Sequence, residues 1–278
     1  MRIVSEKMKE TGHPGLIIDN KPGASGIIAA QAGAQAAPDG YTMLLAGTGM
    51  IAINPYTFSK LPYDPEKSFR PVTNFLGSAM VMAAHPSLPA NSLAELIALA
   101  KASPGKFSFA SFSAGNSSHF AGVLLNQRAG IDLLHVPFSG TPPAVQNLVG
   151  GQVNTAFLPL LAVKPHLDAG RVKVLATTAD RRSPLAPNVP TFEEAGFPDL
   201  TIYTWAALLL PAGTPDALVA KHNADLTRAL RSDEVRDRFR QMDFVPLPTT
   251  PEEFSAQLRR DSRRWAEAVR LSGFKAAE

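Results

Sequence analysis

The 278-residue sequence has no cysteine, only two tryptophans and four tyrosines, and no long apolar run. Without cysteine there is no disulfide framework, no thiolate metal site and no thiol nucleophile. This is compatible with an oxidising compartment without demanding one. The longest apolar runs, such as Ala206 to Leu210, fall far short of the ~20 residues that span a bilayer. Arg2, Glu6, Lys7, Lys9 and Glu10 break up the start, so no secretory signal is visible there. An excess of one charge is also missing. Lys and Arg number 27 against 24 Asp and Glu, a net charge of +3, and the two signs are spread along the chain. No basic stripe interleaved with aromatics appears, which argues against nucleic acid as a partner. The six histidines are scattered with no HxH or HExxH spacing, so no metal site is expected.

What remains is an ordinary globular composition, 45% hydrophobic and 18% charged, over a length that suggests about two domains. Strand-like and helix-like segments alternate, which predicts an α/β fold with mostly parallel sheets. LIIDN (16–20) and YTMLLA (41–46) read as strands around a small-residue helix from Ala24 to Ala36. VTNFLG and MVMAAH follow, then a helix capped by Ser92 with Glu95 three residues on. FSFAS, LLHVPF, VNTAF and VKVLATT, each separated by about one helix, read as a second parallel sheet. Beyond YTWAALLL, a charge-rich tail from Asp216 predicts two or three amphipathic helices. Turns at 101–105 and 211–218 are the candidate crossings. They predict one lobe built from 1–102 and 217–278, and an inserted lobe of 103–216 hinged to it. The first helix, RIVSEKMKETG, has no strand before it, although an alternating chain calls for one.

Three loops stand out. Gly47-Thr48-Gly49, within GTGMIA after a strand, matches G-x-G-x-x-G/A, but Asn54-Pro55 is expected to cut off the long helix a dinucleotide needs. A tight turn and a polar ligand loop both remain open there. In FSAGNSSHF a strand passes into a helix across Ser113, Gly115, Asn116, Ser117, Ser118 and His119. Small residues let the backbone approach a ligand, and the helix amino end offers unpaired N–H groups to an anion. Ordinary capping by Asn116 or Ser117 is compatible with that role. Ser139-Gly140-Thr141 repeats the device ahead of Pro142 and Pro143. Both loops would lie at the carboxyl edge of one sheet, where open α/β sheets bind ligands. A serine nucleophile is disfavoured: G-x-S-x-G is absent, His119 is too near Ser117 and Ser118 in sequence, and no acid is placed to orient it.

The segments NKPGASG (20–26), APDGYTMLLAGTG (37–49), LPYDPEKSFRPV (61–72), SAGNSSHF, VPFSGTPPAVQNLVGGQVN and TWAALLLPAGTP (204–215) together resemble one family. It is that of the extracytoplasmic substrate-binding proteins of tripartite tricarboxylate transporters, also called the Bug or TctC family. The resemblance covers essentially the whole chain. It implies a two-lobed, type II periplasmic-binding-protein fold that works as a monomer in the periplasm, uses no cofactor and delivers a small organic carboxylate to membrane subunits. It further implies that Gly47, Thr48 and Gly49 form a first-lobe ligand loop and that the loops from Ser113 to His119 and Ser139 to Thr141 grip a carboxylate. Trp205 matches a position near the cleft, where packing is an equal reading. Where many members read GQVD-x-x-FD, this chain has Asn154 and Leu158. Loss of the second acid predicts a less polar acid rather than an amino acid as ligand. Members also begin with a strand and a glycine-rich loop, whereas Met1–Ser5 aligns inside the following helix. That strand, its loop and any signal peptide are therefore expected to be missing, with weakened affinity. The competing expectations are an α/β enzyme, either an NAD-linked oxidoreductase or a serine hydrolase, and a receptor that signals to a membrane sensor.

Overall fold

The computed structural model of the chain describes residues 1–10 and 12–275. It opens with α1 (Arg2–Glu10), which buries Val4, Ser5 and Met8. A 3-10 turn at Ala24–Gly26 leads into α2 (Ile27–Ala34), and β1 (Leu44–Gly47) and α3 (Asn54–Thr57) follow. β2 (Phe69–Ala84) is a single strand where two were expected. Next come α4 (Leu93–Ala102), β3 (Ser108–Ser111), α5 (Ser117–Ala129), β4 (Leu134–Pro137), α6 (Thr141–Val149), β5 (Thr155–Pro159), α7 (Leu160–Asp168) and β6 (Lys173–Thr177). The chain continues through β7 (Tyr203–Pro211), α8 (Asp216–Leu230), α9 (Asp233–Gln241), β8 (Phe244–Pro246) and α10 (Pro251–Ser272). Among the described residues no helix is long and apolar enough to cross a membrane.

The described chain divides into two compact units. One comprises Met1–Gly77, Thr204–Ala266 and the residues from Lys275; the other comprises Ser78–Tyr203 and Glu267–Phe274. The boundaries do not fall at the turns near 101–105 and 211–218. They fall inside β2 after Gly77, at the start of β7 and inside α10, so these crossings run through regular structure.

In the first unit β1 pairs antiparallel with β7, from Leu44 opposite Leu209 to Gly47 opposite Ala206, and β7 lies between β1 and β2. Val4 and Met8 of α1, Val72 and Phe75 of β2, Leu208 and Leu210 of β7, and Leu226, Leu230, Val235 and Phe239 of α8 and α9 form its core. Two local expectations are corrected here. Residues 16–20 form no strand, and Ile17 is 99% exposed. An apolar LII run is only half of a strand, and this one has no ladder partner among the described residues. The small-residue helix starts at Ile27 instead of Ala24 because Ala24 and Ser25 hold positive φ angles of 46° and 52°. Asn54 Nδ2 donates to the Ser25 carbonyl at 3.1 Å, tying that turn down.

In the second unit β3 lies between β4 and β5, parallel to both. The parallel set has three strands, not four. β6 pairs antiparallel with β2, as β5 does, so β2 separates β6 from the others. Val81, Ala110, Leu148, Ala156, Leu158 and Val163 belong to the core beneath α6 and α7. At α4, Ser92 Oγ accepts from the Glu95 N–H, while Glu95 reaches back to the N–H of Asn91. The box is present with its return bond one residue early.

Candidate functional site

The second unit brings both strand-to-helix loops together. The Phe138 N–H donates to the Ser111 carbonyl at 3.0 Å, and the Gly140 N–H donates to the Phe112 carbonyl at 2.9 Å. These bonds continue the parallel β3–β4 pairing past the strand ends, so the loops 112–116 and 138–140 leave the sheet side by side. α5 and α6 then start from adjacent positions.

At α5 the amino end is partly occupied by its own cap. Asn116 Oδ1 accepts from the N–H groups of Ser118 and His119 and from Ser118 Oγ, at 3.0, 3.4 and 2.8 Å. Ser118 Oγ in turn accepts from the Phe112 N–H at 3.1 Å, so this fully buried hydroxyl holds the loop together. Ser113 Oγ is similarly turned to the Ala114 carbonyl. Ser117 differs. It is the first helical residue, whose N–H has no acceptor within the helix, and its hydroxyl makes no hydrogen bond among the described residues. The hydroxyls of Ser139 and Thr141 are equally unengaged among the described residues. Three free hydroxyls on two laced loops are therefore available to a ligand. At α6 the backbone supplies less than expected: Thr141 is its first residue, and Pro142 and Pro143 remove two N–H donors from its first turn. Gly140 caps it at φ 120°, where a β-carbon would stand 3.7 Å from Pro142 Cδ.

Behind α5 lie two imidazoles, His119 buried and His135 half-buried. His119 Nδ1 accepts from the Gly115 N–H at 3.3 Å, and its ring stacks on His135 of β4 with centroids 3.8 Å apart. His135 Nε2 is 2.7 Å from Ser111 Oγ. Ser111 Oγ also lies 3.0 Å from the Ser113 carbonyl, so this hydroxyl is held between the imidazole and the loop backbone. Burial lowers the pKa of both imidazoles to about 4, and each stays neutral at pH 7. Gly115 has φ 71°, and a β-carbon there would stand 2.8 Å from the ring of Phe274. His135, Ser111 and Phe274 were not singled out from sequence. His135 sits in an unremarkable strand, and Phe274 lies far down the chain.

The remaining sequence candidates belong elsewhere. In the first unit Gly47 ends β1, and Thr48 Oγ1 is occupied by the backbone of Trp205, accepting from its N–H at 2.7 Å and donating to its carbonyl at 3.2 Å. Gly49 opens a π-helical turn that runs into the four-residue α3, which ends at Thr57, so no long helix follows, as expected, although Asn54-Pro55 lies inside the helix and not at its end. Pro55 is tolerated in its first turn. Trp205 is 3% exposed, its indole N–H donates to Asp261 Oδ2 at 2.8 Å, and its ring meets Phe254 edge-on. Packing is the role this supports. Leu158 is fully buried in the core of the second unit opposite Val81, so it is a core residue and not a ligand contact. Asn154 bridges strands instead of facing a ligand, accepting from the N–H of Ser108 at 2.9 Å. Among the described residues no three His, Asp or Glu side chains gather into a group able to hold a metal.

Known proteins resemble this chain in sequence and in fold. The family model described as "Tripartite tricarboxylate transporter family receptor" matches residues 1–273. The Rhodopseudomonas palustris protein Rpa4515, solved with adipate, is 29% identical with a TM-score of 0.84, covering 99% of this chain and 92% of that one. The periplasmic binding protein BugD is 30% identical with a TM-score of 0.79, covering 99% and 93%. MatC (Rpa3494) from Rhodopseudomonas palustris, solved with bound malate, is 33% identical with a TM-score of 0.77, covering 96% and 92%.

Proposed function

The chain belongs to the tripartite tricarboxylate transporter receptor family, and on that premise we propose that the paired loops of its second unit hold a carboxylate of a small organic acid. The observation that carries this reading is the set of free hydroxyls of Ser117, Ser139 and Thr141 beside the first N–H of α5. Hydroxyl and backbone donors at a helix amino end stabilise an anion without a counter-charge. Gly115, Asn116, Ser118 and His119 shape the loop from behind, through the cap and the stacked imidazoles. Gly140 lets the second loop approach.

The ligand class follows from what surrounds the donors. Between residues 107 and 167 the one acidic residue is Asp132, whose carboxylate lies by Gly105 at the opposite end of the strand. An ammonium group would find no carboxylate along the two loops, so acids without an amine are favoured. The relatives solved with adipate and malate carry ligands of this kind. The protein is then a receptor and not an enzyme, delivering its acid to transporter membrane subunits outside the cytoplasm. It works as a monomer, both loops being supplied by one chain.

The test is a melting-temperature screen with adipate, malate, benzoate, aspartate and glutamate. A ligand that binds the native state at a hundred times its Kd adds about 2.7 kcal/mol of stability. Adipate, malate or benzoate should raise the melting temperature, and aspartate and glutamate should raise it less. A preference for the two amino acids would overturn the reading.

A further inference from the structure

The first unit contains a cavity of about 680 Å3 that the carboxylate site does not use. It lies among α3, the segment 58–71 and the first half of α10. Its size falls within the range of small-molecule pockets, roughly 300–1,000 Å3. Ile51, Phe58, Tyr63, Phe69, Leu209 and Leu258 give it an apolar body. Most of its polar groups are already satisfied. The Tyr56 hydroxyl is 2.7 Å from Ser262 Oγ, the Tyr63 hydroxyl donates to the Met50 carbonyl at 2.6 Å, and Ser255 Oγ donates to the Pro251 carbonyl. Asp64 accepts from the N–H groups of Glu66 and Lys67 and faces Lys67 Nζ at 3.6 Å.

Two lining groups of opposite charge are left over. Arg259 on α10 and Glu66 on the loop both line the cavity, and among the described residues neither side chain has an ion pair or hydrogen bond, with each other or with anything else. An open, partly apolar cleft with one unpaired guanidinium and one unpaired carboxylate, both solvent-exposed, is complementary to a zwitterion with an apolar body. We propose that this cavity is a second site, for a small amino acid-like zwitterion with an aromatic or large aliphatic side chain. Arg259 takes its carboxylate, Glu66 its ammonium, and the apolar walls its side chain. The Arg–carboxylate contact supplies bidentate orientation, and the ammonium–Glu66 contact selects against simple acids. This chemistry differs from that of the carboxylate site, whose loops carry no acidic side chain.

Calorimetric titration with L-phenylalanine, 3-phenylpropanoate and phenethylamine tests it, the last two probes each lacking one charged group. Phenylalanine should bind one site per chain, at least tenfold tighter than either analogue. Arg259→Gln and Glu66→Gln should each weaken it at least fivefold at an unchanged melting temperature, and Arg259→Lys should recover part of the loss. Ser255→Phe, which fills the cavity, should abolish binding, while Ser117→Ala should leave it intact. Absence of saturable binding, or equal affinity in wild type and the charge variants, would overturn the proposal. Loss on Ser117→Ala would place the amino acid in the carboxylate site and overturn it equally. A separate adipate titration decides the first reading, so the two can fail independently.

Discussion

The imidazoles of His119 and His135 lie face to face, 3.8 Å between centroids and 10° from parallel, with His119 on the helix that begins the site and His135 on the neighbouring strand. The stack joins α5 to β4 behind the paired loops, and Phe109 also stacks on His135, with centroids 5.0 Å apart.

One buried and one half-buried imidazole with pKa values near 4 make stability depend on pH in a defined window. In the unfolded chain each titrates near 6.5, so as pH falls from 6.5 towards 4 the unfolded state binds protons that the folded state refuses. Stability from this pair is fully present above pH 6.5 and is lost on the way down, on the order of 1–3 kcal/mol in all. Urea unfolding between pH 7.5 and 4 should show that loss in wild type and a flatter profile in His119→Gln/His135→Gln. Parallel profiles would contradict it.

Asn116 satisfies two backbone donors and one hydroxyl at the start of α5. Asn116→Ala should cost about 1–2 kcal/mol in chemical unfolding, while Asn116→Asp should cost much less because the cap survives. A loss equal in both variants would mean that the amide, and not the cap, is what matters.

Gly115 combines φ 71° with the ring of Phe274 at 2.8 Å from its missing β-carbon. Gly115→Ala should lower stability by about 1–3 kcal/mol, part from the left-handed backbone and part from the clash. In Phe274→Ala the same substitution should cost less, and a double-mutant cycle reads the difference. Strict additivity would show that the ring simply moves aside.

Trp205 and Asp261 separate packing from charge. Burial raises the Asp261 pKa, against the lowering effect of its hydrogen bonds from Trp205 and Gln257. A raised carboxylate pKa favours the folded state at low pH, and that contribution fades as pH rises through the folded value. Asp261→Asn, which keeps an acceptor for the indole N–H, should be neutral or stabilising at pH 7. Asp261→Ala, which strands that buried N–H, should cost about 1–3 kcal/mol. Thermal melts of the two variants check the ordering.

The α/β class and the helix from Ser117 to Ala129 were legible because small polar residues and a capping asparagine stand between an apolar strand and an apolar helix. The laced loops were legible for the same local reason. The unit boundaries were not, because β2, β7 and α10 carry the chain across without a break in pattern. Thr48 read as a ligand group because its sequence neighbours are glycines, yet its partner is the backbone of Trp205, 157 residues away. Leu158 read as a departure in a ligand loop, yet strand pairing places it in the core. Local spacing identifies which loops are available to a ligand. It does not tell which of their side chains are already taken.

The most direct test of the carboxylate site is calorimetric titration of adipate into wild type and into Ser117→Ala/Thr141→Val, with melting curves run alongside. Loss of two hydroxyl donors at the paired loops should weaken binding at least tenfold, about 1.4 kcal/mol, without lowering the melting temperature of the unliganded protein. Equal affinity in the two proteins would contradict the assignment of these loops as the carboxylate grip.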